Sequence, residues 1–158
     1  MVCILYVLDS NVFISFKHYY SEVFISFWDK LQLLKDENKL ISVYECFNEI
    51  NGSVEEPVQS WILKNDDIFL EPQPKEYDFL AGMFQNEKNR ESVPKKAIAK
   101  GTASADSYII AKAHSIGGTV VTEEKYKPNS AKIPTICKNY NIPCINSKQM
   151  MINEKMIF

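Results

Sequence analysis

Seven apolar residues, Val2-Cys3-Ile4-Leu5-Tyr6-Val7-Leu8, run without a break into Asp9-Ser10-Asn11. Such a run is too short to span a membrane, and its unbroken apolar character predicts a strand buried in a parallel sheet. Asp and Ser directly after it mark a strand-to-helix turn, where a side-chain acceptor at the helix N-cap is favoured. Asp9 is thereby placed at the carboxyl edge of a sheet, the edge at which open α/β folds take their ligands.

The rest of the chain alternates strand and helix. A short helix over Val12 to Tyr20 is followed by a longer one that Ser21 would cap. In it Val23, Phe24, Phe27, Trp28, Leu31 and Leu34 recur at helical spacing. Leu40 to Val43 reads as a strand, Tyr44 to Asn51 as a helix stopped by Gly52, and Glu55 to Asn65 as a helix with Trp61 on its apolar side. Ile68 to Leu70 is a third strand, halted at Glu71-Pro72. Lys75 to about Arg90 carries Tyr77, Leu80, Ala81 and Phe84 on one stripe, and the stretch from Asn86 to Gly101 is polar and rich in Lys, as a mobile loop or a broken helix would be. A strong helix over Ala103 to Ser115 breaks at Gly117-Gly118 before the strand Thr119 to Thr122. Ile133-Pro134 opens a helix to Tyr140, and Ile142 to Ile145 is a last strand, set at an edge by Pro143. This order predicts an α/β fold: a three-layer α/β/α sandwich around a central, mostly parallel sheet of about five strands, formed as one domain over residues 1–158.

A formal net charge of −2 over 158 residues gives no whole-chain attraction to nucleic acid, so such a partner would need a local basic patch or bridging cations. Cys3, Cys46, Cys137 and Cys144 form no CxxC pair and no zinc spacing, which fits free thiols in a reducing cytoplasm. No basic residue precedes the first apolar run, and Asp9 stands where a secretion signal would still be apolar. A cytoplasmic protein with no membrane segment is expected.

Four acidic sites fall where this sheet would gather them. Asp9 ends the first strand. Glu49 lies on the helix after the second, with Glu45 one turn earlier on the same face. Asp106 stands in the first turn of the helix after the loop, and Glu123-Glu124 follow the fourth strand. Taken singly, each has an ordinary explanation as a helix cap, a dipole partner or a solvated surface. Gathered in one pocket, they would repel and hold one another's protons, a cost that divalent cations with oxygen ligands offset. Such a site can clamp the oxygens of an in-line phosphodiester displacement.

Tyr6 to Ile14 resembles the opening strand and turn of PIN domains. Ala105-Asp106-Ser107-Tyr108-Ile109-Ile110-Ala111 resembles their Asp-bearing helix, and Thr119 to Glu124 resembles their fourth strand with its acidic end. Ile41-Ser42-Val43, followed by Asn48-Glu49-Ile50-Asn51-Gly52, is similar to the strand, Glu-bearing helix and glycine of that fold. Glu-Glu-Lys after the fourth strand and the Ile142-Pro143-Cys144-Ile145-Asn146 ending resemble a bacterial PIN-like subfamily of uncharacterised domains of the DUF4411 kind. The resemblance implies a metal-dependent ribonuclease, commonly the toxin of a toxin–antitoxin pair. It also implies Mg²⁺ or Mn²⁺ on Asp9, Glu49, Asp106 and Glu124, with Asn11 and Thr122 as supporting polar groups. Glu45 and Glu123 are the alternates for Glu49 and Glu124. The implied partners are an RNA substrate and a cognate antitoxin protein.

Lys95, Lys96 and Lys100, with Lys125, Lys127 and Lys132, could contact phosphates, although lysine-rich loops are commonly just solvated. The aromatic-rich segment from Phe24 to Trp28 would serve a homodimer. His18 reads as a surface residue and His114 as one near a helix's C-terminal end, where positive charge is favourable, and neither reads as catalytic. The competing class is a PIN-like binding module that keeps the fold without assembling metals. A phosphoacceptor receiver domain is disfavoured, because Ser10 and Asn11 flank Asp9 where it needs an acidic pair.

Overall fold

Tyr6, Val7 and Leu8 are all fully buried, yet they feed two different cores. Tyr6 and Leu8 pack with Phe13, Phe27, Leu31, Trp61 and Ile62, while Val7 packs with Leu80, Ile109, Ile110, Ile136 and Val120. A strand whose alternate side chains enter separate hydrophobic clusters lies in the middle layer of three. The computed structural model describes residues 3–85 and 104–158.

The central sheet has five strands in the order β3-β2-β1-β4-β5: β1 Tyr6–Leu8, β2 Leu40–Val43, β3 Phe69–Leu70, β4 Thr119–Val121 and β5 Cys144–Ile145. Every pairing is parallel, with Tyr6 opposite both Leu40 and Thr119, and Val121 opposite Ile145. The chain moves outward from β1 through β2 to β3, then returns to β4 on the other side of β1. The reversal makes β1 and β4 the pair at which parallel sheets open a ligand crevice.

Eight α-helices are formed by the described residues: α1 Ser10–Ser15, α2 Ile25–Asp36, α3 Tyr44–Ile50, α4 Val58–Lys64, α5 Pro74–Phe84, α6 Ala105–Ile116, α7 Ile133–Asn139 and α8 Ser147–Asn153. α2 and α4 cover one face of the sheet, and α5, α6 and α7 the other. None is long and apolar enough to cross a membrane.

Two glycines fix the turn that sets α6 against the sheet. Gly117 closes the helix at φ +69°, a left-handed conformation that glycine takes without steric cost. A Cβ on Gly118 would lie 3.0 Å from Val7 Cγ2 and 3.1 Å from the Leu5 carbonyl oxygen, so only glycine lets the chain pass this close to β1. α6 is also tied to α5 inside the protein. The Lys112 ammonium lies 2.9 Å from Glu76 Oε1, with both side chains almost wholly buried, and it also donates to the Glu71 carbonyl.

Several boundaries differ from the sequence expectation. β1 begins at Tyr6 rather than Val2, and α2 begins at Ile25 with Phe24 at its cap, so Ser21 caps nothing and Val23 lies exposed before the helix. On α5 the buried stripe is Glu76, Leu80 and Met83, whereas Tyr77 and Ala81 face solvent. The Glu76–Lys112 pair rotates that helix from the orientation its apolar residues alone suggest. α8 is a helix that apolar periodicity does not reveal; Asn146 caps it by accepting from the Gln149 amide. The lysine-rich stretch, with Lys95, Lys96 and Lys100, lies outside the described residues.

Candidate active site

The carboxyl end of β1 delivers Asp9 into the crevice as the N-cap of α1. Its Oδ1 accepts from the Ser10 amide at 2.7 Å, and its own amide donates to the Val121 carbonyl at 2.9 Å, stitching the ends of β1 and β4 together. Only 4% of the residue is exposed. Asp9 is therefore both a helix cap and a buried acid.

Thr122, directly after β4, holds the second oxygen. Its hydroxyl donates to Asp9 Oδ2 at 2.9 Å and accepts from Asn11 Nδ2 at 3.3 Å and from the Glu124 amide at 3.1 Å. Asn11 Oδ1 in turn accepts from the Glu123 amide at 3.1 Å. Asn11 and Thr122 thus lock the turn after β4 onto the turn after β1 and fix the Asp9 carboxylate in one orientation. The Ser10 hydroxyl is buried beside them without a hydrogen-bond partner among the described residues.

Asp106, in the first turn of α6, faces the same crevice. Burial raises its pKa from 3.8 to about 7, and the charges of Asp9, Glu124 and Glu49 push it the same way, against a smaller opposing pull from Lys132. Burial likewise raises Asp9 to about 6, its bonds from Thr122 and Ser10 opposing, with Glu124 and Glu49 adding to the rise. These mutual effects put Asp9, Asp106, Glu124 and Glu49 within electrostatic reach of one another across β1, β4, α3 and α6.

The alternates face elsewhere. Glu45 is held above the usual carboxylate range by burial, and its charged neighbours are Lys112, Glu71 and Glu76 rather than Asp9 or Asp106. Its Oε1 is buried without a hydrogen-bond partner among the described residues. Glu123 turns outward, where Oε1 accepts from the Ser147 amide at the start of α8 at 3.0 Å. Glu124 Oε2 accepts from the Ile133 amide at the start of α7 at 2.8 Å. Two adjacent acids thereby serve the first amides of two different helices, an arrangement the helix dipoles favour. Ile133-Pro134 marked the first of those helix starts in the sequence, and the second, at Ser147, went unread. Lys125, Lys127 and Lys132 are exposed around this edge, and His18 is an exposed residue away from the acids, while His114 stacks on Phe79 at 4.3 Å.

All four converging acids offer hard oxygen donors, the set that Mg²⁺ or Mn²⁺ takes. With two of them resisting ionisation, the donor chemistry fits a divalent cation. As the side chains stand, no three His, Cys, Asp or Glu groups among the described residues are drawn together tightly enough to hold a metal. Glu124 is engaged by the Ile133 amide and Glu49 is exposed, so Asp9 and Asp106 are the pre-placed members of the set.

A family model described as a domain of unknown function, DUF4411, matches residues 6–158. The chain belongs to the DUF4411 family. Among solved structures it is similar to VapBC2 from Rickettsia felis, solved bound to a DNA fragment from their promoter, at 17% identity and a TM-score of 0.52 over 90% of this chain and 98% of that one. It is equally similar to PAE2754 from Pyrobaculum aerophilum, at 17% identity and a TM-score of 0.52 over 98% of this chain and 92% of that one. No curated protein matches. This member of the DUF4411 family has the PIN-domain fold, a parallel five-stranded sheet between helical layers, as the sequence resemblance implied.

Proposed function

We propose that this protein is a metal-dependent endoribonuclease and the toxin of a type II toxin–antitoxin pair. The observation that carries the reading is the group of four carboxylates at the β1–β4 switch point, with Asp9 buried and Asp106 half-buried and the two raised to about 6 and 7. Mg²⁺ or Mn²⁺ bound there would supply Lewis acidity and neutralise charge building up at a phosphodiester. Asp9 and Asp106 would hold it, with Glu49 and Glu124 completing the set, while Thr122 and Asn11 keep the Asp9 carboxylate aimed. Hydrolysis would leave a 5′ phosphate and a 3′ hydroxyl.

A cognate antitoxin covering the acids is the protein partner this reading adds. The fold shared with VapBC2, a protein solved on promoter DNA, supports that partner. A homodimer would use Val23, Ile25 and Leu33, the apolar side chains left exposed around α2 once Phe27 is buried. Four free cysteines and the lack of a membrane-crossing helix among the described residues are consistent with the cytoplasm as its compartment.

The test is cleavage of single-stranded RNA by purified protein with Mn²⁺. Wild-type protein is expected to cut and Asp9→Asn to lose at least about a hundredfold in rate, since one ligand of a small set is removed. Equal rates in the two proteins, or no cleavage in either, sink the assignment. A second reading, a PIN-like binding module without metal, draws on the Glu124–Ile133 bond that occupies one of the acids.

A further inference from the structure

Beside Glu124 the surface opens into a cleft of about 490 Å³, within the range of small-molecule sites. Its walls come from Glu123, Glu124, Lys125 and Tyr126 after β4, Pro134 at the start of α7, and the segment that runs from β5 (Cys144–Ile145) into the start of α8. Tyr126 is 49% exposed. Lys138, which does not line the cleft, holds its Nζ 4.9 Å from the ring centroid over one π face, so a base in the cleft would take the opposite face.

We propose that this cleft is a base-binding subsite, in which Tyr126 is the stacking platform for one unpaired nucleotide adjacent to the phosphodiester at the acids. The inference rests on the reading of the protein as acting on RNA and names the strand geometry it takes. An exposed aromatic flanked by lysines is the arrangement by which single strands are held: the ring takes a base and the ammonium groups take the backbone. Lys125, Lys127 and Lys138 are exposed and supply that charge. The two acids of the cleft would repel phosphate if they pointed freely into it. Glu124 is instead turned to the Ile133 amide and Glu123 to the Ser147 amide, so each carboxylate is offset by a helix start. A base paired and stacked in a duplex offers no free face to such a ring, so the subsite favours single-stranded RNA.

The experiment measures binding of a short fluorescent single-stranded RNA to the full chain in chelator, without divalent metal, for wild type, Tyr126→Phe, Tyr126→Ala and Lys138→Ala. Tyr126→Phe keeps the platform and is expected to bind within about twofold of wild type, whereas Tyr126→Ala is expected to lose about tenfold or more, the worth of one stacked base. Tyr126→Ala should leave the slope of affinity against salt unchanged, and Lys138→Ala should flatten it by close to one released ion. The same RNA annealed into a duplex should bind more weakly. Unchanged binding by Tyr126→Ala, equal binding of duplex, or no binding by wild type overturns the subsite. Because no metal is present, single-strand binding that depends on Tyr126 stands even where the Mn²⁺ cleavage assay is negative, which separates failure of this inference from failure of the nuclease reading.

Discussion

Asp9 and Asp106 carry opposite lessons about a buried acid. Asp9 is almost wholly desolvated, yet both its oxygens accept hydrogen bonds, and its pKa stops at about 6; Asp106 is less buried, has no such bonds from the described residues to oppose the other charges, and reaches about 7. In both, the folded value lies above the ordinary 3.8, so ionisation favours the unfolded chain. Their penalty is absent below that ordinary value, grows as pH rises through about 6 and about 7, and is complete above. Asp106→Asn should therefore stabilise the metal-free protein by roughly 1–3 kcal/mol at pH 8, after allowance for solvent, and by little at pH 4. Urea denaturation at the two pH values reads this directly; equal effects at both would show that the raised acid is not the source. The placement of Asp9 and Thr122 at strand ends and of Asp106 in the first turn of a helix was legible in the sequence. Which of Glu45 and Glu49 faces Asp9 was not legible. The two lie one turn apart, and only the packing of α3 against both Lys112 and the crevice separates them.

At the scale of elements, the pairing of α5 with α6 rests on an ion pair rather than on apolar side chains alone. Removing one partner strands the other charge in the core. Lys112→Met is expected to cost about 3–5 kcal/mol in denaturant unfolding, while the double variant Glu76→Leu with Lys112→Met should recover most of it. A double variant no more stable than the single one would contradict this account. The pair also explains why the stripe on α5 was misjudged: apolar periodicity cannot register a buried Glu that faces a buried Lys 36 residues later in the chain. By contrast β2, Leu40–Val43, was readable to the residue, because Asn38 at φ +59° and the start of α3 bound it on both sides. α8 escaped notice because its first turn is held by Asn146 and Glu123, a cap and a distant carboxylate, with Met150 as its one fully buried side chain.

For the whole molecule, strand order decides what the scattered acids can become. Residues 9, 49, 106 and 124 come from four segments, and only the return of the chain across β1 to β4 brings them to one edge. The class of fold was open to inspection in the sequence because apolar strands and amphipathic helices alternate so regularly. The state of the site was not, since it depends on where Glu124 and Glu49 point once the helices that follow them have docked. Ligands must be deprotonated to bind a cation, so affinity should weaken as pH falls below about 7, the value to which Asp106 is raised. Calorimetric titration of Mn²⁺ into wild-type and Asp106→Asn protein at pH 8 and at pH 5.5 is the direct test that these acids form a metal site. The account predicts saturable binding at pH 8 that weakens at least about tenfold at pH 5.5 and is lost in Asp106→Asn. No binding at pH 8, or binding that Asp106→Asn leaves unchanged, would contradict it.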